Sequence, residues 1–181
     1  VIIETKAVEA VTNAHKAQTL NYLYLCGLHH ATLLNCRPER VQHQFVSTTL
    51  TTEDRRRVDW DLQGWTPLTP RCEILHSTLA RALDDWGARL DPTLYRDVIT
   101  YFLGGESEVV HDVEVRSEHG RLGDQRVHLV SPLIAFSVTA AVHRPDVVHE
   151  HQRRFIQHTP LRAMQWINLS GQTVSVHTIH P

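Results

Sequence analysis

The chain has 181 residues, and 18 Lys+Arg against 20 Asp+Glu leave a formal net charge of −2. That balance excludes a globally basic nucleic-acid binder, so any contact with nucleic acid has to come from a local patch. A hydrophobic share of 41% with 21% charged residues excludes a disordered chain, and the length suffices for one sizeable core or two small ones.

Cys26, Cys36 and Cys72 are odd in number and lack C-x-x-C spacing. This argues against a disulfide framework or structural zinc and for a reducing, cytoplasmic compartment. No apolar run reaches membrane length, and no signal-peptide pattern opens the chain. Among the 14 histidines, His29-His30, His149-x-His151 and His177-x-x-His180 invite a zinc reading, but no nearby Cys or carboxylate completes four ligands.

Val1 to Val8 reads as a strand that the chain enters without Met or turn, as in a fragment whose upstream strands are absent. Asn13 is a suitable N-cap for a helix over Ala14–Cys26, closed by Gly27 at the C′ position. His29–Cys36 reads as a second strand, Arg37 to Arg40 as a turn, and Val41–Leu50 as a third strand. The order is a β-α-β unit followed by an edge hairpin. Residues 51–70, with Arg55-Arg56-Arg57, Trp60, Trp65, Pro67 and Pro70, read as a linker whose arginines are solvated. Domain boundaries at 1–50, 51–70 and 71–181 follow.

The second part opens with a helix over Glu73–Leu90, whose apolar face is Leu75, Leu79, Ala82, Leu83 and Trp86. Asp91-Pro92 starts another helix that runs through Phe102 and ends at Gly104-Gly105. Val109–Val115 and Arg126–Val130 form a hairpin. Leu133–Val142 is a strand, Pro145–His158 a helix, and Ala163–Leu169 and Gln172–Ile179 are strands. The four Trp residues read as core or linker anchors rather than base-stacking platforms.

The two parts follow one script. Placing Asn35 on Asn168 gives an offset of 168 − 35 = 133 residues. At that offset Ile3 falls on Phe136, Tyr22 on Phe155, Leu28 on Leu161 and Leu34 on Ile167, so apolar character is kept. The polar positions change: Glu4 falls on Ser137, Lys6 on Thr139 and Gln18 on His151.

In a strand, Glu4 and Lys6 point out of the same face. A charged pair on an apolar strand is costly unless solvated, paired or on a metal. Glu4, with the Thr5 main-chain carbonyl, is a set of hard oxygen donors for a divalent cation. Such a cation activates water and offsets phosphate charge, and Lys6 orients that water or stabilises developing charge. His15, Gln18 and Tyr22 share one helix face, and Gln18 and Tyr22, one turn apart, can orient the lysine or hold a phosphate oxygen. The plainer reading makes Glu4 and Lys6 a solvated pair, Tyr22 a core aromatic and His15 a surface or capping residue.

Val1 to Val8, His15 to Leu23, Gly27-Leu28 and Leu33-Leu34-Asn35 together resemble the GxxExxY family of the PD-(D/E)XK nuclease superfamily. The resemblance covers Val1 to about Cys36 and extends beyond it only as a degenerate second copy. It implies a restriction-endonuclease-like α/β fold, a mixed sheet flanked by helices, in two related units. It also implies a Mg²⁺ site, with Mn²⁺ as a substitute, Glu4 and Lys6 as the E-x-K pair, and Gln18 and Tyr22 as a Q-x-x-x-Y element. The implied partner is DNA or RNA and the implied activity a metal-dependent nuclease, provided that a metal-binding Asp precedes Glu4 by roughly ten residues. The eponymous helix has no counterpart in the first copy. In the second copy Arg89 and Pro92 stand where its Gly and Glu belong, beside Leu94-Tyr95, and Asp124 is the only acid near Ser137. The alternative function is a non-catalytic nucleic-acid-binding or protein-interaction module on a nuclease-like fold.

Overall fold

A computed structural model describes residues 1–181, which divide into two compact units, Val1–Arg57 and Val58–Pro181. The first contains β1 (Ile2–Lys6), α1 (Asn13–Cys26), β2 (His30–Asn35), β3 (Gln42–Ser47) and the short α2 (Thr52–Arg56). Its sheet runs β1-β2-β3, with β1 parallel and β3 antiparallel to β2. One face packs on α1 through Leu23, Ala31, Leu33 and Val46, joined by Ile2, Val11 and Leu20. Full burial of Leu23 and Leu33 contributes about 1.5–3 kcal/mol each.

The N-cap of α1 is Thr12, one residue before the expected Asn13, and His15 accepts the Thr12 N–H at Nδ1 (3.0 Å). That is the reaching-back half of a capping box, with imidazole in place of the usual carboxylate. Gly27 ends the helix at φ 62°, a left-handed geometry that costs a residue without Cβ least, and Leu28 N–H returns to Leu23 O (2.9 Å).

The second unit contains β4 (Asp59–Asp61), α3 (Pro70–Trp86), α4 (Pro92–Phe102), α5 (Glu106–Val109), β5 (Val110–Ser117), β6 (Gly120–Ser131), β7 (Ile134–Thr139), α6 (Pro145–Gln157), β8 (Ala163–Ser170) and β9 (Thr173–Ile179). Its sheet runs β4-β9-β8-β7-β6-β5 and mixes parallel β7–β8 and β4–β9 pairs with antiparallel neighbours. α6 covers one face over a core that includes Ala135, Met164, Trp166, Ile156 and Ile179. The alternate residues Ile134, Phe136, Ile167, Val174 and Val176 are buried on the other face, where α3 packs on β6 and α4 on β7. A mixed sheet flanked by helices is the architecture that the resemblance implies.

The stretch read as a linker is structured. The boundary falls between Arg57 and Val58, with α2 on one side and β4 on the other. β4 joins the second sheet through β9, and Trp65 donates to Gln165 Oε1 (2.7 Å) while stacking on His76. Arg55 is not solvated but 2% exposed; its Nη2 donates to Tyr24 O (2.8 Å) and its guanidinium lies 4.5 Å from the Tyr24 ring centroid.

The offset of 133 residues holds in the backbone pairing. Ile2 pairs with Ala31 and Lys6 with Asn35, and Ala135 pairs with Met164 and Thr139 with Asn168. Across the next strand pair, Ala31–Val46 corresponds to Met164–Ile179, and Asn35–Gln42 to Asn168–Ser175. A one-residue slip in either strand pair would turn every side chain to the opposite face, so shared register means shared faces.

Candidate active site

Strand alternation sets Ile2, Glu4 and Lys6 toward α1 and leaves Ile3 and Thr5 exposed on the far face. The Thr5 side chain is therefore turned away, and only its main chain can contribute beside Glu4. Lys6 Nζ lies 2.8 Å from Glu4 Oε1, with the two side chains 19% and 18% exposed. The same ammonium donates to Gln18 Oε1 (2.7 Å), and Gln18 Nε2 donates to the Tyr22 hydroxyl (3.0 Å). Glu4, Lys6, Gln18 and Tyr22 thus form one continuous chain of polar contacts. Because α1 carries Gln18 and Tyr22 one turn apart, both reach the same strip of β1. His15 is spent on the helix cap and does not join them.

Each member keeps unused capacity. An ammonium has three donors, of which Glu4 and Gln18 take two. The Tyr22 oxygen accepts from Gln18, which frees its own proton for donation outward. Glu4 uses Oε1 for the lysine, while Oε2 has no such partner. The arrangement therefore offers two donors and one carboxylate oxygen along one helix-strand seam, a combination suited to an anion with a cation beside it.

No group of three or more His, Cys, Asp or Glu side chains is arranged to hold a metal ion. Glu4 with one main-chain carbonyl is a smaller set, but hard oxygens of this kind fit Mg²⁺, which binds through one or two carboxylates and completes its shell with water and substrate phosphate. His177 stacks on Trp166, with ring centroids 5.4 Å apart, and burial holds it below the ordinary histidine value, opposed by Asp61 and aided by a smaller push from His149.

One buried polar residue near the site was legible only as a repeat marker. Asn35, fully buried, accepts the Val8 N–H (3.1 Å) and donates to the Val8 carbonyl (2.8 Å), fixing the exit of β1 just past Lys6. Asn168 does the same to Ala141, at 2.7 and 3.1 Å.

At the matching place in the second unit the charges are gone. Ser137 Oγ accepts from Gln152 Nε2 (3.2 Å), and Thr139 Oγ1 donates to Asn168 Oδ1 (3.0 Å) while accepting from Trp166 Nε1 (2.9 Å). Asp124 lies on β6, paired with Arg121, and is not in the cleft beside Ser137. Tyr95 is fully buried with its hydroxyl on Gly87 O.

Residues 1–46 match the PD-(D/E)XK nuclease superfamily. The matched segment spans β1, α1, β2 and nearly all of β3, so it contains the whole Glu4–Lys6–Gln18–Tyr22 chain. The mixed α/β architecture of both units is consistent with a nuclease-like fold of this superfamily. No curated protein and no solved structure matches the chain. No helix is long and apolar enough to cross a membrane.

Proposed function

We propose that the first unit is a metal-dependent nuclease of the GxxExxY kind, hydrolysing phosphodiester bonds of DNA or RNA. The observation that carries this is the continuous contact from Glu4 through Lys6 and Gln18 to Tyr22, inside the segment that matches the nuclease superfamily. A solvated surface pair has no need of two further side chains to fix it, whereas a reacting ammonium does.

In this reading Glu4 and the Thr5 carbonyl hold Mg²⁺, or Mn²⁺ in its place, whose chemistry is to lower the pKa of water and offset charge on the phosphate. Lys6, held on two sides, directs its third N–H at the attacking water or at the phosphate oxygen that gains charge. Gln18 fixes the lysine rotamer, and Tyr22 donates its proton to a second phosphate oxygen. The second unit has kept the frame and given up the carboxylate and the lysine, so its contribution is not hydrolysis.

The test is cleavage of labelled single- and double-stranded DNA and RNA by the complete protein in Mg²⁺, Mn²⁺ and EDTA. Cleavage that needs the cation, and falls about 100-fold or more in Glu4→Gln and in Lys6→Ala, is the expected result. A Lys6→Ala protein that cleaves as fast as the parent in Mg²⁺ overturns the proposal. Binding that persists in EDTA, with no substrate cleaved under any condition, selects the non-catalytic binding module instead.

A further inference from the structure

A cleft of about 440 Å³ opens in the second unit at the register position that Glu4, Gln18 and Tyr22 occupy in the first. Its cause is a splay in the sheet. β6 and β7 pair at Leu129–Ala135 and His128–Phe136, and the pairing goes no further, so residues 137–139 part from β6. The cleft lies between Gln125–His128 and Phe136–Val138, with α6 alongside.

The wall chemistry is one-sided. Arg96, Arg126, His128 and His151 line it, and no carboxylate does. Arg96 is paired with Asp97 just outside, but Arg126 is exposed and makes no ion pair. Two of these groups sense each other: burial first, and the Arg96 guanidinium second, hold His128 below the ordinary histidine value, with Arg126 adding to that and Asp97 and Glu106 opposing it. Where the first unit has a carboxylate, this cleft has two arginines, of which Arg126 is unpaired.

The floor supplies a second requirement. Gln152 Oε1 is buried without a hydrogen-bond partner, while its Nε2 is on Ser137. Turning the amide over only exchanges the orphan, since Ser137 then donates to oxygen and nitrogen is left free. Either way one buried end of the amide has no partner in the wall of the cleft, and an unmade bond there costs about 1–3 kcal/mol. Beside it, Phe155 and Val148 offer apolar surface for a flat ring.

We propose that this cleft is a metal-independent binding site for one nucleotide, with the phosphate on Arg126 and Arg96 and the base against Phe155 and Val148. Its volume lies in the range of small-molecule sites and suits a single nucleotide. The inference does not rest on cleavage by the first unit, because it uses neither Glu4 nor a cation. A free nucleotide and the phosphorylated end of a strand present the same chemistry.

Binding is measured by calorimetry on the full chain in EDTA, with adenosine monophosphate, uridine monophosphate, adenosine, inorganic phosphate, and a hexathymidine strand with and without a 5′-phosphate. The proposal expects the monophosphates or the phosphorylated strand to bind, the stronger of the two identifying the source. It also expects Arg126→Ala to weaken them by about tenfold or more. In an NMR titration the His128 imidazole, beside the bound phosphate, gains basicity when ligand is present. Arg126 is exposed, so its removal leaves the fold intact, and Arg96→Ala with a matching circular dichroism spectrum gives a second readout. No binding by any of these probes, equal binding of adenosine and its monophosphate, equal binding of inorganic phosphate alone, or an unchanged affinity in both arginine variants overturns it.

Discussion

Asn35 and Asn168 close the same clamp. Each carboxamide accepts an N–H and donates to the C=O of one residue 27 positions upstream, Val8 for Asn35 and Ala141 for Asn168. Both stand on the strand paired in parallel with the one they clamp, opposite Lys6 and Thr139 respectively. The clamp thus survives where the neighbouring side chain has lost its charge, which makes it a device of the fold and not of the chemistry.

Asn35→Ala should therefore destabilise the first unit whether or not the protein cleaves anything. Two hydrogen bonds vanish and both polar groups of Val8 lose a buried partner, a loss of about 2–4 kcal/mol. Asn35→Asp keeps an acceptor for the Val8 N–H but sets a carboxylate against the Val8 carbonyl. It should be the weaker fold at neutral pH and recover part of the loss in acid, where the protonated acid donates again. Urea denaturation monitored at pH 7 and pH 4 measures both effects.

Arg55 and Arg57 are two residues apart and should differ sharply. Arg55 is buried, bonded to Tyr24 O and stacked on the Tyr24 ring. Arg55→Lys loses the planar fork and the stack, and should cost about 1–3 kcal/mol in denaturant unfolding. Arg57 is exposed with Asp54 at 4.0 Å. Arg57→Ala should fall within about 0.5 kcal/mol of the parent. Equal effects at the two positions would show that the burial of Arg55 carries no energy.

The elements were legible because their signals are local: strand alternation at Ile2–Lys6, the Gly27 stop, Pro92 behind Asp91. Gln18 reads from the sequence as able to orient the lysine or hold a phosphate oxygen, and its Oε1 accepts from Lys6. Arg55 was not legible. An Arg-Arg-Arg run looks solvated until a carbonyl and a ring from α1, 31 residues away, are brought to it. Trp65 and Trp60 sat among prolines and charges, and only pairing with β9 and His76 shows them as part of a sheet edge and its packing. The cleft in the second unit had no sequence signal either. Arg96 comes from α4, Arg126 and His128 from β6, and Gln152 from α6, and no spacing rule joins those elements.

Glu150 gives the second unit a pH-dependent contribution. Hydrogen bonds from Arg153 and Arg154, at 3.0 and 2.9 Å, hold its carboxyl at about 2 against an ordinary 4.5. A carboxyl with a lowered folded value stabilises the fold above the unfolded value and loses that contribution as pH falls toward the folded one. Stability should decline from about pH 4.5 toward about pH 2, and Glu150→Gln should flatten that part of the profile. The group is solvent-facing, so 0.5 M NaCl should shrink the difference between parent and variant. Thermal melts across this pH range, with and without salt, check the sign.

Tyr22 separates holding from reacting. The residue is 37% exposed and its hydroxyl takes one bond from Gln18, so Tyr22→Phe should cost no more than about 1 kcal/mol of stability. If the hydroxyl proton serves a phosphate oxygen, the same variant should lower kcat about tenfold with KM little changed. Gln18→Ala removes the second contact of Lys6 and should cost at least as much activity. In Gln18→Ala/Tyr22→Phe the two losses should not add, because without Gln18 the hydroxyl is no longer held in place. Fully additive losses in cleavage assays would show that Tyr22 acts apart from the chain that begins at Glu4.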